Sequence, residues 1–184
     1  MSPASTNHLH PVHGSPSEVI EAVCGWLEPE QQPEPLVVET SGSTGAPKRV
    51  LLSRAAVLAS AHATHERLGG EGQWLLTLPP EYVAGLQVIV RSLVGGCGAP
   101  VVAADHGSLT AAVGAMTGQR RYTSLVPTQL HRLLEADADA EALAGLDAVL
   151  LGGGPIDPAL RQRAEESGVT IVATYGASET AGGC

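Results

Sequence analysis

Thr40-Ser41-Gly42-Ser43-Thr44-Gly45-Ala46-Pro47-Lys48 packs four hydroxyls, two glycines and one lysine into nine residues. Glycine lets the backbone curl so that successive N–H groups converge on an anion. The hydroxyls add donors, and Lys48 adds a mobile positive charge suited to phosphate. Serine, threonine and glycine also build ordinary polar hairpin turns. Two features favour phosphate binding over the turn. Lys48 is the only lysine, the other nine basic residues all being arginine, and these donors gather in a chain that is acidic overall.

The known nucleotide fingerprints do not fit. A P-loop needs G-x-x-x-x-G-K-[ST], but Pro47 lies five residues after Gly42 and Arg49 follows Lys48. Gly42-Ser43-Thr44-Gly45 and Gly152-Gly153-Gly154-Pro155 both miss the G-x-G-x-x-G spacing of dinucleotide folds. Gly176-Ala177-Ser178-Glu179-Thr180 approaches the hydrolase elbow G-x-S-x-G, but Thr180 replaces its last glycine and no oxyanion-type H-G-G segment is evident. His62 and His65, three residues apart on one helix, read as a solvated face. His8, His10 and His13 sit in an aperiodic N-terminal stretch.

The elements that must position these residues alternate in type. Residues 1–14 read as a mobile tail. Ser15-Pro16 opens a helix whose apolar face is Val19, Ile20, Val23, Trp26 and Leu27. Three prolines make residues 28–35 a linker. Strands are expected over 36–39, 49–53, 74–78, 100–104, 122–126, 147–154 and 169–176. Between them come helices from Ser53 (N-cap) to Gly69 (C-cap), then over 86–94, 109–118, 128–136 and 158–167. Continuous Val/Leu/Ile runs spaced by helices indicate an α/β fold with a largely parallel sheet flanked by helices.

Composition narrows the function classes. Hydrophobic types reach 43% and charged types only 16%, so a sizeable core is available. Net charge is −9, and residues 1–47 hold six glutamates and no basic residue, which argues against nucleic acid as a partner. No run approaches the ~20 apolar residues of a membrane span. The three cysteines (Cys24, Cys97, Cys184) are too scattered for a disulfide framework or a zinc site. With no secretory signal pattern, a cytoplasmic setting is expected.

Taken together with two later segments, S-G-S-T-G-x-P-K resembles the phosphate loop of the adenylate-forming superfamily, which includes acyl-CoA synthetases, peptide-synthetase adenylation domains and luciferases. Leu151-Gly152-Gly153-Gly154-Pro155 resembles that superfamily's glycine stretch against adenine. Tyr175-Gly176-Ala177-Ser178-Glu179-Thr180 resembles its Y-G-x-T-E motif, with Ser178 where threonine is usual. The pattern is most similar to the o-succinylbenzoate–CoA ligase branch in its short actinobacterial form, through Trp74-Leu75-Leu76, Ala84-Gly85-Leu86, Val90-Arg91-Ser92, Arg120–Val126 and Ser178–Cys184. Residues 36–184 carry the likeness.

The resemblance implies ATP-dependent activation of o-succinylbenzoate to its acyl-adenylate and transfer to CoA, as in menaquinone biosynthesis. Thr44, Lys48 and Glu179 would be catalytic, with Glu179 also ligating Mg²⁺ as a hard oxygen donor. Thr40, Ser41, Gly42, Ser43, Thr44, Gly45, Lys48, Gly152, Gly153, Gly154, Tyr175, Gly176 and Ser178 would hold ATP or AMP. Tyr82, Gly85 and Arg91 would face the acid. Relatives carry histidine where Tyr82 stands. Arg91 interrupts the apolar run GLQVIVRSLVGG; it either snorkels to the surface or pairs with the acid's second carboxylate. Residues 15–184 then form part of an adenylation domain without the C-terminal lid domain, and the chain alone is not expected to complete the thioester reaction. A ligase for another aryl or acyl acid, and a non-catalytic nucleotide-binding module, remain alternatives. A homodimer is left open.

Overall fold

The computed structural model describes residues 11–28, 33–40, 48–103 and 109–183. Helix α1 (Pro16–Trp26) begins with a capping box. Ser15 accepts from the Glu18 amide while the Glu18 carboxylate takes the Ser15 amide at 2.8 Å, which removes two orphan donors. Strands β1 (Leu36–Thr40) and β2 (Lys48–Leu52) form an antiparallel pair apart from the main sheet, in register from Leu36↔Leu52 to Thr40↔Lys48. The loop 41–47 between them lies outside the described residues. Helix α2 (Arg54–Arg67) starts on Ser53, whose hydroxyl accepts from the Ala56 amide, as its sequence implies.

The main sheet is five-stranded and parallel. It comprises β3 (Gln73–Leu76), β4 (Val101–Val102), β5 (Arg121–Leu125), β6 (Ala148–Leu151) and β7 (Ile171–Ala173), in the order β4-β3-β5-β6-β7. Period-two alternation divides its side chains between two cores. Trp74, Leu76, Tyr122, Ala148 and Leu150 pack with α1, α2, the β1–β2 pair and helix α3 (Val83–Val94). Leu75, Leu125, Val149 and Leu151 pack with helices α4 (Leu109–Gly114), α5 (Pro127–Leu133), α6 (Asp137–Ala144) and α7 (Pro158–Glu166). The result is a three-layer α/β/α arrangement. Among the described residues no helix is long and apolar enough to cross a membrane.

Four details differ from the sequence reading. Residues 11–14, assigned there to the tail, lie along β1, where Pro11 bridges Val37 and the Val12 amide donates to the Val37 carbonyl at 2.7 Å. Helix α6 was not anticipated, because Asp137-Ala-Asp-Ala-Glu-Ala-Leu-Ala buries only Leu143 and so shows little periodicity. Alanine's high helix propensity and acidic residues in the first turn form it. His65, read as solvated, is 4% exposed because its face of α2 packs on α3, and burial lowers its pKa.

Helix α3 begins at Val83, three residues earlier than expected, and takes Gly85 into its first turn. A Cβ on Gly85 would lie 2.2 Å from the Pro79 carbonyl oxygen and 2.9 Å from that of Leu78. The glycine is there because the helix and the β3–α3 loop touch backbone to backbone. We expect Gly85→Ala to destabilise the fold by about 2 kcal/mol, the usual scale for overpacking. A denaturant midpoint unchanged from wild type would show that this approach is dispensable.

Candidate active site

The crevice forms where the strand order reverses. β3 continues into α3 on one face of the sheet, whereas β5 continues into α5 on the other, so the loops leaving these neighbouring strands diverge. Open parallel sheets bind ligands at such a point, beyond the carboxyl ends of the strands. Here a cavity is lined by Leu78 after β3, by Ser124–Val126 at the end of β5, and by Gly152 and Gly153 after β6. Thr174 after β7 and Val83, Ala84, Gln87 and Arg91 of α3 complete most of the wall.

A short hairpin closes it. Strands β8 (Gly176–Ala177) and β9 (Gly182–Gly183) pair antiparallel around a 3-10 turn at Ser178–Thr180. Its tightness requires glycine, since a Cβ on Gly176 would lie 2.3 Å from the Gly182 carbonyl oxygen. The Thr180 hydroxyl stitches the turn, accepting from the Ala177 amide at 3.0 Å and contacting the Gly182 carbonyl oxygen at 2.7 Å. Ser178 and Glu179 ride on this turn at the rim.

Lys48 reaches the same rim from β2. Its Nζ donates to Glu179 Oε1 at 2.5 Å, joining positions 131 residues apart in sequence. That hydrogen bond, together with a backbone hydrogen bond and the lysine's charge, holds the Glu179 carboxyl below the usual carboxylate range. Both side chains are exposed, so the pair is open to displacement by a stronger ligand. Thr40 stands opposite Lys48, its hydroxyl donating to the Lys48 carbonyl at 3.4 Å.

Arg91 forms the charged part of the wall. It is 3% exposed, and it does not snorkel. Its guanidinium carbon lies 5.2 Å from the centroid of Trp74, Nη2 donates to the Gly183 carbonyl at 3.4 Å, and Nε has no partner among the described residues. No described carboxylate forms an ion pair with it. Burial alone lowers its pKa from the usual arginine range to about 10, so it is cationic at neutral pH. Gln87, one turn earlier, donates through Nε2 to Ala181 O at 2.7 Å and to Val57 O at 3.2 Å, leaving Oε1 unpaired. The Ser124 hydroxyl is likewise buried, and neither it nor Gln87 Oε1 has a partner among the described residues. A buried cation with no ion-pair partner among the described residues, beside polar atoms that lack hydrogen bonds there, suits a ligand that brings an anion.

Gly152, Gly153, Gly176 and Arg91 thus line one crevice, and Lys48 and Glu179 pair at the turn of the hairpin that closes it. Gly152 is sterically required, since a Cβ there would lie 2.2 Å from Thr174 Oγ1. Gly154 is exposed beside Pro127, and Tyr175 stands 91% exposed with a free aromatic face. Two positions lie elsewhere. Gly85 packs on Pro79, and Tyr82, 51% exposed at the N-cap of α3, faces a separate cleft with Pro11, Val12, His13, Glu39 and Arg49. Ser41, Gly42, Ser43, Thr44 and Gly45 lie outside the described residues. Sequence reasoning passed over Gln87, although a second polar residue four positions before Arg91 in an apolar helix was a readable sign.

The fold and the crevice define an α/β domain with a cavity at the carboxyl edge of a parallel sheet and a buried arginine in its wall. Residues 28–184 match the model of the AMP-binding enzyme family, and the chain belongs to that family. It is 51% identical over 154 residues to the probable 2-succinylbenzoate–CoA ligase of Mycobacterium tuberculosis, a match covering 81% of this chain and 40% of that protein. Among solved structures it resembles wild-type Escherichia coli MenE bound to a phenylether-linked analogue of OSB-AMS (TM-score 0.66, 33% identity, 80% of this chain and 31% of that one). It also resembles Bacillus subtilis o-succinylbenzoate coenzyme A synthetase in complex with ATP and magnesium (TM-score 0.64, 27% identity, 80% and 31%). The chain therefore spans about two fifths or less of the length of these proteins.

Proposed function

We propose that this crevice serves the ATP-dependent activation of o-succinylbenzoate, giving an acyl-adenylate that passes to CoA, with menaquinone as the pathway's product. Adenylation joins a carboxylate to the α-phosphate and expels pyrophosphate, so its demands are charge neutralisation and in-line positioning. Thr40, Lys48 and the loop Ser41–Gly45 would hold the polyphosphate, with Thr44 and Lys48 acting on the transferred group. Gly152–Gly154, Gly176 and Ser178 would take the nucleoside, with Tyr175 stacked on adenine. Glu179 suits Mg²⁺, which favours carboxylate oxygen together with substrate phosphates. Its present partner, Lys48 Nζ, marks where that cation's charge would sit, and Lys48 would then turn to phosphate.

The observation that carries the choice of acid is Arg91. The activated carboxylate must lie near the rim with Glu179 and Lys48, so a buried unpaired guanidinium on the far wall calls for a second carboxylate. o-Succinylbenzoate is such a diacid. The same relation is supported by the relatives' names, all three describing o-succinylbenzoate (2-succinylbenzoate) enzymes or a complex with an OSB analogue. Gly85 would shape the wall indirectly, by setting how closely α3 approaches the β3–α3 loop, and Tyr82, facing its separate cleft, would act outside the cavity.

Calorimetric titration tests the assignment. Wild-type chain should bind ATP with Mg²⁺ and, separately, o-succinylbenzoate. Lys48→Ala should weaken the nucleotide about tenfold or more, the scale of losing a charge-assisted contact to phosphate, and leave the acid's affinity unchanged. Equal losses for both ligands would separate Lys48 from the phosphates.

A further inference from the structure

A buried guanidinium is ordinarily stabilised by a carboxylate, and here an indole occupies that position. Trp74 is fully buried on β3, its ring 5.2 Å from the Tyr122 ring at an interplanar angle of 53° and 6.5 Å from the His65 ring, with the Arg91 guanidinium 5.2 Å from its centroid. The two contacts have different electrical consequences. An aspartate or glutamate beneath Arg91 would cancel its charge before any ligand arrived. The negative face of an aromatic ring attracts the cation through its quadrupole and leaves the net charge in place. The guanidinium's hydrogen bond among the described residues, to the Gly183 carbonyl at 3.4 Å, is long and likewise to a neutral group.

We propose that Trp74 is a positioning residue for acid selection: its indole face holds the Arg91 guanidinium in the cavity wall without neutralising it, so that the site keeps a full positive charge for a carboxylate remote from the reacting one. Tyr122 in turn fixes the indole plane, since ring against ring in a close-packed core leaves little rotational freedom. The inference rests on the reading of Arg91 as the partner of a ligand carboxylate. It adds that the selectivity of that arginine is set by a residue that never touches the acid.

Biosynthetic replacement of tryptophan by a fluorotryptophan series separates ring electrostatics from packing. Successive fluorines drain the ring face of negative charge with little change of volume, and the only other tryptophan, Trp26 of α1, is removed beforehand by Trp26→Phe. The readout is the ratio of affinities for o-succinylbenzoate and for its analogue with the non-activated carboxylate converted to a carboxamide. We expect the ratio to fall progressively with fluorine number, by about tenfold across the series, as a desolvated cation–π contact implies. Trp74→Phe should retain part of the ratio, and Trp74→Leu should lose more of it than Phe.

A ratio that stays constant across the fluorinated proteins overturns the proposal, even if Trp74→Leu does not fold. Parallel weakening of both ligands also overturns it, because that outcome reflects packing alone. Arg91→Gln in the same background keeps the two readings apart. If it leaves the ratio at its wild-type value, the assignment of Arg91 to a carboxylate fails. If it abolishes the ratio while fluorination does not change it, only the role of Trp74 fails.

Discussion

Arg91→Gln is expected to cost about a hundredfold in affinity for o-succinylbenzoate while making the protein more stable. The loss follows from removing a charge-assisted partner of a ligand carboxylate in a buried site, typically worth ~2–5 kcal/mol. The gain follows from the unliganded state, in which a guanidinium is buried with one long hydrogen bond and an aromatic contact in place of an ion pair. A neutral replacement removes the desolvation penalty of a buried ion, on the order of several kcal/mol in folded proteins. Titration of the acid, beside thermal unfolding of the unliganded protein, measures both effects. Unchanged affinity with raised stability would leave Arg91 as a structural oddity and sink the diacid assignment.

The same residue sets a pH signature. Burial lowers its pKa from the usual arginine range to about 10, so the folded protein holds this proton less tightly than the unfolded chain. Its destabilising contribution is complete below about pH 10 and eases as pH rises from there toward the unfolded arginine's pKa. Preference for the diacid over its carboxamide analogue should therefore be level from pH 6 to about 9, once the acid itself is ionised. It should decline as pH passes about 10. A preference that faded near neutrality would point to a histidine instead, and His65 would be the first to examine.

Glu179→Gln is expected to have the second large effect, on the metal-dependent step. Glutamine keeps the side chain's size and its place on the 178–180 turn but removes the charge that attracts both Lys48 and a divalent cation. Nucleotide bound without Mg²⁺ should change little or even gain, because Lys48 is freed from its carboxylate partner. The strengthening of ATP binding by Mg²⁺ should fall by a factor of about 100, the scale on which metal sites respond to loss of a ligand or its support. Titrating ATP with and without Mg²⁺ on both proteins measures the difference. An intact Mg²⁺ effect in Glu179→Gln would assign the cation to other oxygens. The fold should be nearly unaffected, since an exposed pair of this kind contributes little to stability.

How much of this was legible beforehand differs from residue to residue. The parallel α/β class could be read from the Val/Leu runs, because strands buried on both faces have no polar alternation to preserve. Ser15 and Ser53 announced their helices, since capping chemistry is local. Lys48 stood out as the lone lysine, and Glu179 through the motif around it. The start of α3 was misplaced because a glycine in sequence looks like a helix boundary. At Gly85 it reports a backbone contact with Pro79, which lies outside any local window. α6 escaped notice because helices held by propensity, with one buried leucine, leave little periodic trace.

By itself, then, the sequence determined the inventory: a donor-rich segment ending in one lysine, a glycine turn, a tyrosine-to-glutamate motif, and strands of the kind that assemble into a covered parallel sheet. These are properties of short windows, where residue type and backbone preference suffice. Only the tertiary structure decided that Lys48 and Glu179 meet, that Arg91 faces inward, and that its neighbour there is Trp74. Each of these depends on which strands adjoin and which helix face is covered. Sheet order and packing join residues far apart in the chain, and whether a cation ends against water, a carboxylate or an indole depends on that long-range geometry.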